Sequence, residues 1–277
     1  MEMIYRKEKR MHTIRLSMES RKTIFRIETL SEEINPEWTL IFRRIFKDRL
    51  VRYLEEQEKT KRGLLFQGET TSWLQHSAMQ ATLFVPLASH DEKIRDIIVH
   101  LLKLHFEFIN ANYSSLKTKC NPLSCSEIYQ LAYTLQMAYI FYLRTEEICQ
   151  FSLLFTSAAA RVLNVWEQGI IRSNLNGVMG KNLCIEAATN LAEIFSNVTR
   201  HTDLRNQASR VVALLEKTKS IPISEDQELF QKGIDTISSY KKAEVLNELL
   251  KKIKQEQVAG SLTELYFCQL LLNYFKI

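Results

Sequence analysis

Helix breakers are scarce in this chain. Its 277 residues include only seven glycines and four prolines, well below average usage, which implies long helices joined by short connections. No apolar run approaches the roughly 20 residues that a membrane-spanning helix requires. An apolar N-terminal stretch with a cleavage site is also missing. The five cysteines, Cys120, Cys125, Cys149, Cys184 and Cys268, are odd in number and scattered, which suits a reducing compartment, the cytosol or nucleus, better than a disulfide framework. Asn112-Tyr-Ser and Asn197-Val-Thr match the glycosylation pattern, but without secretion that match has no consequence.

Catalytic and metal-binding patterns are equally sparse. There is no HExxH, no GxSxG, no kinase signature and no dinucleotide fingerprint. His100 and His105 are five residues apart, so on a helix they do not share a face as a metal-binding pair at i, i+4 would. Cys120 and Cys125 have no second ligand pair at zinc-site spacing. The stretch from Asn176 to Lys181 carries two glycines and a lysine, but the gap between the glycines is too short for a phosphate loop, and Asn182 stands where a Ser or Thr would hold magnesium. Acidic neighbours such as Glu32 and Glu33, or Glu146 and Glu147, fall at helix ends, where first-turn charge or solvation explains them. These absences lead to the expectation of a protein that is not an enzyme, with no cofactor and no metal.

What the sequence does contain is charge at one end and helical periodicity nearly everywhere else. Residues 1–62 hold 16 Lys and Arg against 11 Asp and Glu, whereas the remainder carries 21 of each. Attraction to phosphate or acidic surfaces should therefore come from the N-terminal part. Within the first 35 residues, Ile14, Leu16 and Met18, then Phe25, Ile27 and Thr29, alternate with polar positions, a strand-like period that suggests a small β-hairpin. An irregular arm that orders on a partner is the alternative. Asn35, Pro36 and Glu37 then form a strong helix start, followed by Trp38, Phe42, Ile45, Phe46 and Leu50 at helical spacing.

Further helices are expected to start near 91, 124, 145, 181, 203, 225, 241 and 261. Ser124 with Glu127, Ser224 with Gln227 and Ser261 with Glu264 have capping-box spacing. At 277 residues, one extended domain or two small ones are both compatible with the length. The expected division is a basic arm or hairpin over 1–35 and a helical body over 36–277.

One stretch resembles a known family. In LCIEAATNLAEIFSNVTRHTDLRNQASRVVALLEKT, the small residues Ala187, Ala188 and Ala192 permit close helix approach, and Asp203-Leu-Arg with Ala208 and Val212 resembles the second helix of an armadillo or HEAT repeat. The resemblance implies an all-α, irregular α-α superhelix acting as a scaffold that binds a partner along a helical face. Read this way, the chain is a non-catalytic protein-interaction subunit of a larger complex, located in the nucleus or cytoplasm. The apolar C-terminal helix, with Leu265, Tyr266, Leu271, Tyr274 and Phe275, is its candidate interface for another protein. Folding of that helix back into the body is the alternative. A second functional reading is nucleic-acid binding, with Arg43, Arg44, Lys47 and Arg49 as candidate phosphate contacts. A third lays residues 36–54 on an acidic membrane as an amphipathic helix.

Overall fold

The structure, a computed structural model, describes residues 16–47, 49–50, 72–113, 125–148, 150–172, 178–221, 239–256 and 262–276. Among these described residues, the regular structure is helical apart from two strands of two residues each. The helices are α1 (Met18–Ile34), α2 (Pro36–Phe42), a π-helical turn (Arg43–Lys47), α3 (Ser72–Thr82), α4 (Val85–Ala88), α5 (Glu92–Asn112), α6 (Cys125–Thr145), α7 (Leu153–Arg172), α8 (Lys181–Asn197), α9 (Thr202–Lys217), α10 (Ser239–Glu256) and α11 (Leu262–Tyr274). Strand β1 (Val178–Met179) precedes α8, and β2 (Ser220–Ile221) follows α9.

The chain forms two compact units. Unit 1 comprises Met1–Gln67, Leu83–Ile97 and Ser224–Ile277, and unit 2 comprises Gly68–Thr82 and Ile98–Ile223. Neither is a continuous stretch, and the expected boundary at residue 35 falls inside unit 1. The described part of the expected arm, α1, belongs to unit 1.

In unit 1, α1 replaces the expected hairpin. Its buried face is Ser20, Ile24, Ile27, Glu28 and Ser31, a helical period that two small serines conceal from a hydrophobicity pattern. Phe25, which a strand would place beside Ile27, is instead 69% exposed. Ser31 satisfies its own hydroxyl by donating to the Ile27 carbonyl at 2.7 Å, and Ser17 caps the helix by accepting from the Ser20 amide. Asp91 Oδ2 accepts from the Ser17 amide at 2.8 Å, which ties the start of α1 to the residue preceding α5. Residues 1–15, with the rest of the expected arm, lie outside the described residues.

The start at Asn35 is as the sequence suggests. Its side chain accepts from the Glu37 amide, and Pro36 occupies the first turn. Trp38, Phe42, Ile45 and Phe46 are buried. Phe42 stacks on Phe46 at 4.7 Å, and Phe46 meets Phe84 edge-on at 5.3 Å. Because these aromatic rings face the core of unit 1, they are not presented to a membrane. The helix α11 completes that core. Leu265, Tyr266, Phe267, Leu270 and Leu271 are almost wholly buried, and α11 packs against α10 and the π-helical turn. The expected interface thus lies largely inside the chain, and folding back is the arrangement found. Tyr274 and Phe275 are partly exposed, with Tyr274 edge-on to Trp38 at 5.7 Å.

In unit 2, α3 and α8 both pack on α6, while α9 packs on α8 and α7. Ala132 and Ala138 on α6, like Ala187 and Ala188 on α8, are fully buried and allow the helix backbones to approach closely. Phe155 contacts Phe106, Phe151 and Phe195, joining α5, α7 and α8 through one aromatic cluster. The helix start expected at Thr145 is corrected to Leu153. Thr145 is the last residue of α6, and Glu146 has φ 55°, a left-handed position that ends a helix. Pro86 sits in the first turn of α4, which explains the break after Thr82. Ser124, Ser224, Ser261 and the helix expected near 225 lie outside the described residues.

Candidate functional site

Among the described residues, polar side chains gather in several groups, three of which bear on the expected and possible chemistry. The first, in unit 1, contains all four residues expected to contact phosphate. The π-helical turn adds a residue to the helical repeat and so rotates the following side chains relative to a regular helix. Arg43 Nε and Lys47 Nζ approach Glu28 Oε1 of α1 at 3.4 and 2.5 Å. Arg44 Nη2 and Arg49 Nη2 approach the two carboxylate oxygens of Glu264 on α11 at 2.7 and 3.9 Å. The Glu28 and Glu264 side chains are only 9% and 4% exposed, whereas Arg43 and Arg44 are about half exposed. Burying a carboxylate is costly unless a cation compensates it, and here each carboxylate has two. The four candidate phosphate contacts thus lie against buried glutamates, Glu28 of α1 and Glu264 of α11, whose charge they offset.

The second group surrounds His105 in unit 2. Its ring is completely buried. Nε2 lies 2.7 Å from Ser77 Oγ and Nδ1 lies 2.8 Å from Thr134 Oγ1, while Trp73 approaches the ring edge-on at 4.7 Å. Ser77 also donates to the Trp73 carbonyl at 2.5 Å. With its proton committed there, Ser77 accepts from Nε2–H, so Nδ1 accepts from Thr134, and a single neutral tautomer satisfies every partner. Burial lowers the His105 pKa from 6.5 to about 3. A Ser-His pair of this kind is the start of a nucleophilic site, but a fully buried ring has no room for a substrate. This group holds α3, α5 and α6 together.

The third group lines the seam between α6 and α8 and is open to solvent. Gln136 Nε2 donates to Glu186 Oε1 at 2.5 Å, and Gln136 Oε1 accepts from Asn190 at 2.9 Å. One turn further along, Tyr139 donates its hydroxyl to Glu193 Oε2 at 2.7 Å. Burial, followed by the neighbouring Glu193, pushes the Tyr139 pKa up to about 12, so the phenol stays protonated as a donor. Glu186, Asn190 and Glu193 fall at i, i+4 and i+7, one face of α8. Two exposed carboxylates thus share a ridge with two amides and a phenol. No sequence motif marks it, because the residues come from helices about 50 positions apart and meet only after folding.

Among the described residues, no three His, Cys, Asp or Glu side chains come together as a metal-ligand set. His100 is not part of the His105 group. Lys181, from the glycine-containing stretch, donates to the Glu216 and Thr218 carbonyls at 2.9 and 2.8 Å, capping the end of α9. Cys184 and Cys268 are buried.

No protein-family model matches the sequence, and no curated protein matches it. Among solved structures, the chain is similar to a Streptococcus pneumoniae protein described as one of a family of metal-independent α-mannosidases involved in processing N-linked glycans. That protein was solved as a non-productive complex with α-1,6-mannobiose. The TM-score is 0.66 at 14% identity, over 94% of this chain and 99% of that one. At this identity the likeness is one of fold. It nevertheless overturns the inference from helical architecture to a non-catalytic scaffold or complex subunit, because an enzyme has the same architecture. The expectation that the chain is not an enzyme is corrected on the same ground. Among the described residues, no helix is long and apolar enough to cross a membrane.

Proposed function

We propose that this chain is a glycoside hydrolase, with its reacting carboxylates at the α6/α8 seam. The observation that carries the reading is the likeness of fold to a metal-independent α-mannosidase along nearly the whole chain. Fold alone does not assign activity, so the proposal also needs a site with suitable chemistry. Glycosidases generally use two carboxyl groups flanking the scissile bond, one as acid and the other as base or nucleophile. Of the two carboxylate pairs described, Glu28 and Glu264 are buried beneath cations, whereas Glu186 and Glu193 are exposed and separated by amide and phenol groups able to bond sugar hydroxyls.

Seven residues along a helix correspond to about 10 Å between backbone positions. With flexible side chains, that suits the roughly 6.5–9.5 Å carboxyl separation of inverting enzymes better than the 5–5.5 Å of retaining ones. The test is release of mannose from α-1,6-mannobiose and aryl α-mannosides by the purified full chain, with the product anomer followed by proton NMR. Hydrolysis with inversion is expected, as is a loss of at least about a hundredfold in kcat for Glu186→Gln and for Glu193→Gln. A wild-type protein inactive on a panel of α- and β-glycosides refutes the function. Activity that is unchanged in both variants refutes the site.

The helical-repeat likeness of residues 181–218 is kept in this reading only as a proposal for how α8 and α9 pack as one hairpin. A reducing cellular compartment, nuclear or cytoplasmic, remains a proposal that rests on the cysteine pattern.

A further inference from the structure

The outward face of α1 is unusual for a solvated helix. At about 100° per residue, Met18, Phe25 and Thr29 lie along one line opposite the buried Ile24 and Ile27. Met18 is 73% exposed and Phe25 69%. This stripe, apolar at Met18 and Phe25 and with the Thr29 hydroxyl donating to the Phe25 carbonyl, has charged residues along both edges, and their sign changes along the helix. Arg21 and Lys22 flank it in the N-terminal half, and Glu32 and Glu33 flank it in the C-terminal half, all of them exposed. By helical angle, Arg21 and Glu32 share one edge, and Lys22 and Glu33 share the other.

We infer that this face binds the same face of a second copy of the chain, antiparallel, across a two-fold axis near Ile27. Such an axis reverses the helix direction and keeps each edge on its own side. Arg21 then meets the second copy's Glu32 along one edge, and Lys22 meets its Glu33 along the other. The two pairs are centred one residue apart, on either side of Ile27, so a single axis there serves both, a match that a randomly charged surface does not require. Phe25 falls close to the axis, where it covers Thr29 and Phe25 of the other copy. In a parallel arrangement, or on an acidic membrane, Glu32 and Glu33 would face like charge, which disfavours both. The intramolecular contact of Lys22 with Glu19 is an exposed pair three residues apart, weak enough to exchange partners.

The experiment uses the full-length chain in light scattering coupled to size exclusion, over a rising concentration series, alongside flotation with vesicles rich in phosphatidylserine. The expected result is a mass that rises toward twice the chain mass and a protein that does not float. Phe25→Asp should remain monomeric with unchanged thermal unfolding, because the side chain it replaces is exposed. The double change Glu32→Lys, Glu33→Lys should also abolish the dimer, and adding Arg21→Glu, Lys22→Glu should restore it, since the charge pattern is then inverted as a whole. A wild type that is monomeric throughout, a dimer indifferent to Phe25→Asp, a failure of the charge swap to restore mass, or vesicle binding that depends on Phe25 would each overturn the inference.

Discussion

Replacing His105 by leucine tests whether the buried ring in unit 2 is neutral and fully satisfied. At pH 7 the substitution removes two hydrogen bonds, at 2.7 and 2.8 Å, and an edge-on contact with Trp73. Ser77 keeps the Trp73 carbonyl as acceptor, so the main loss falls on Thr134, whose hydroxyl loses its His105 acceptor at a cost of about 1–3 kcal/mol. The ring contact adds roughly 1 kcal/mol. A destabilisation of about 2–4 kcal/mol is therefore expected.

The sign of its pH dependence follows from the lowered pKa of about 3, against 6.5 for an unburied ring. The unfolded chain binds a proton at this position between those values and the folded chain does not. The contribution of neutral His105 is thus fully present above pH 6.5 and falls as the pH drops toward 3. Between pH 7 and pH 5 it amounts to about 2 kcal/mol lost from the wild type alone. The gap between wild type and His105→Leu should therefore shrink by about that amount, because titration of the other histidines cancels in the difference. Urea unfolding followed by far-ultraviolet circular dichroism at the two pH values measures it. A gap of constant size would mean that His105 exchanges protons equally in both states, and the buried, neutral assignment would be refuted.

Glu264→Ala should destabilise unit 1 by about 2–3 kcal/mol in chemical unfolding, below the 3–5 kcal/mol typical of a fully buried pair because Arg44 is half exposed. The same protein in high salt should lose little of the effect, since a buried carboxylate is poorly screened. Leu271→Ala should cost about 2–5 kcal/mol as a cavity in the core. A melting temperature unchanged by Leu271→Ala would return α11 to the surface.

Helical content was readable from the sequence wherever apolar residues dominate one face, as in the run from Ile94 to Ile109, or where capping chemistry is explicit, as at Asn35-Pro36. Reading failed where small polar residues are buried. Ser20 and Ser31 occupy core positions of α1 and bond locally, so a pattern built on apolar residues followed Phe25 instead. The start expected at Thr145 failed for a different reason: Glu146 adopts a left-handed conformation more often taken by glycine or asparagine. The basic run of residues 43–49 was visible as charge, but its partners Glu28 and Glu264 are distant in sequence, and the lengths of the intervening segments gave no hint of the pairing. The α6/α8 ridge was missed for the same reason. Gln136, Tyr139, Glu186 and Glu193 are unremarkable one at a time and acquire meaning only through the packing of α8 on α6.

The short parallel ladder that pairs Val178 with Ser220 and Met179 with Ile221 has a consequence for local opening. It joins the chain entering α8 to the chain leaving α9, and Lys181 binds the final carbonyls of α9 beside it. Neither end of this hairpin can fray without releasing the other. Residues 178–221 should therefore exchange their amide hydrogens as one cooperative block, with terminal amides nearly as protected as central ones. In that respect the hairpin behaves as a closed ring spliced into the chain at a single point.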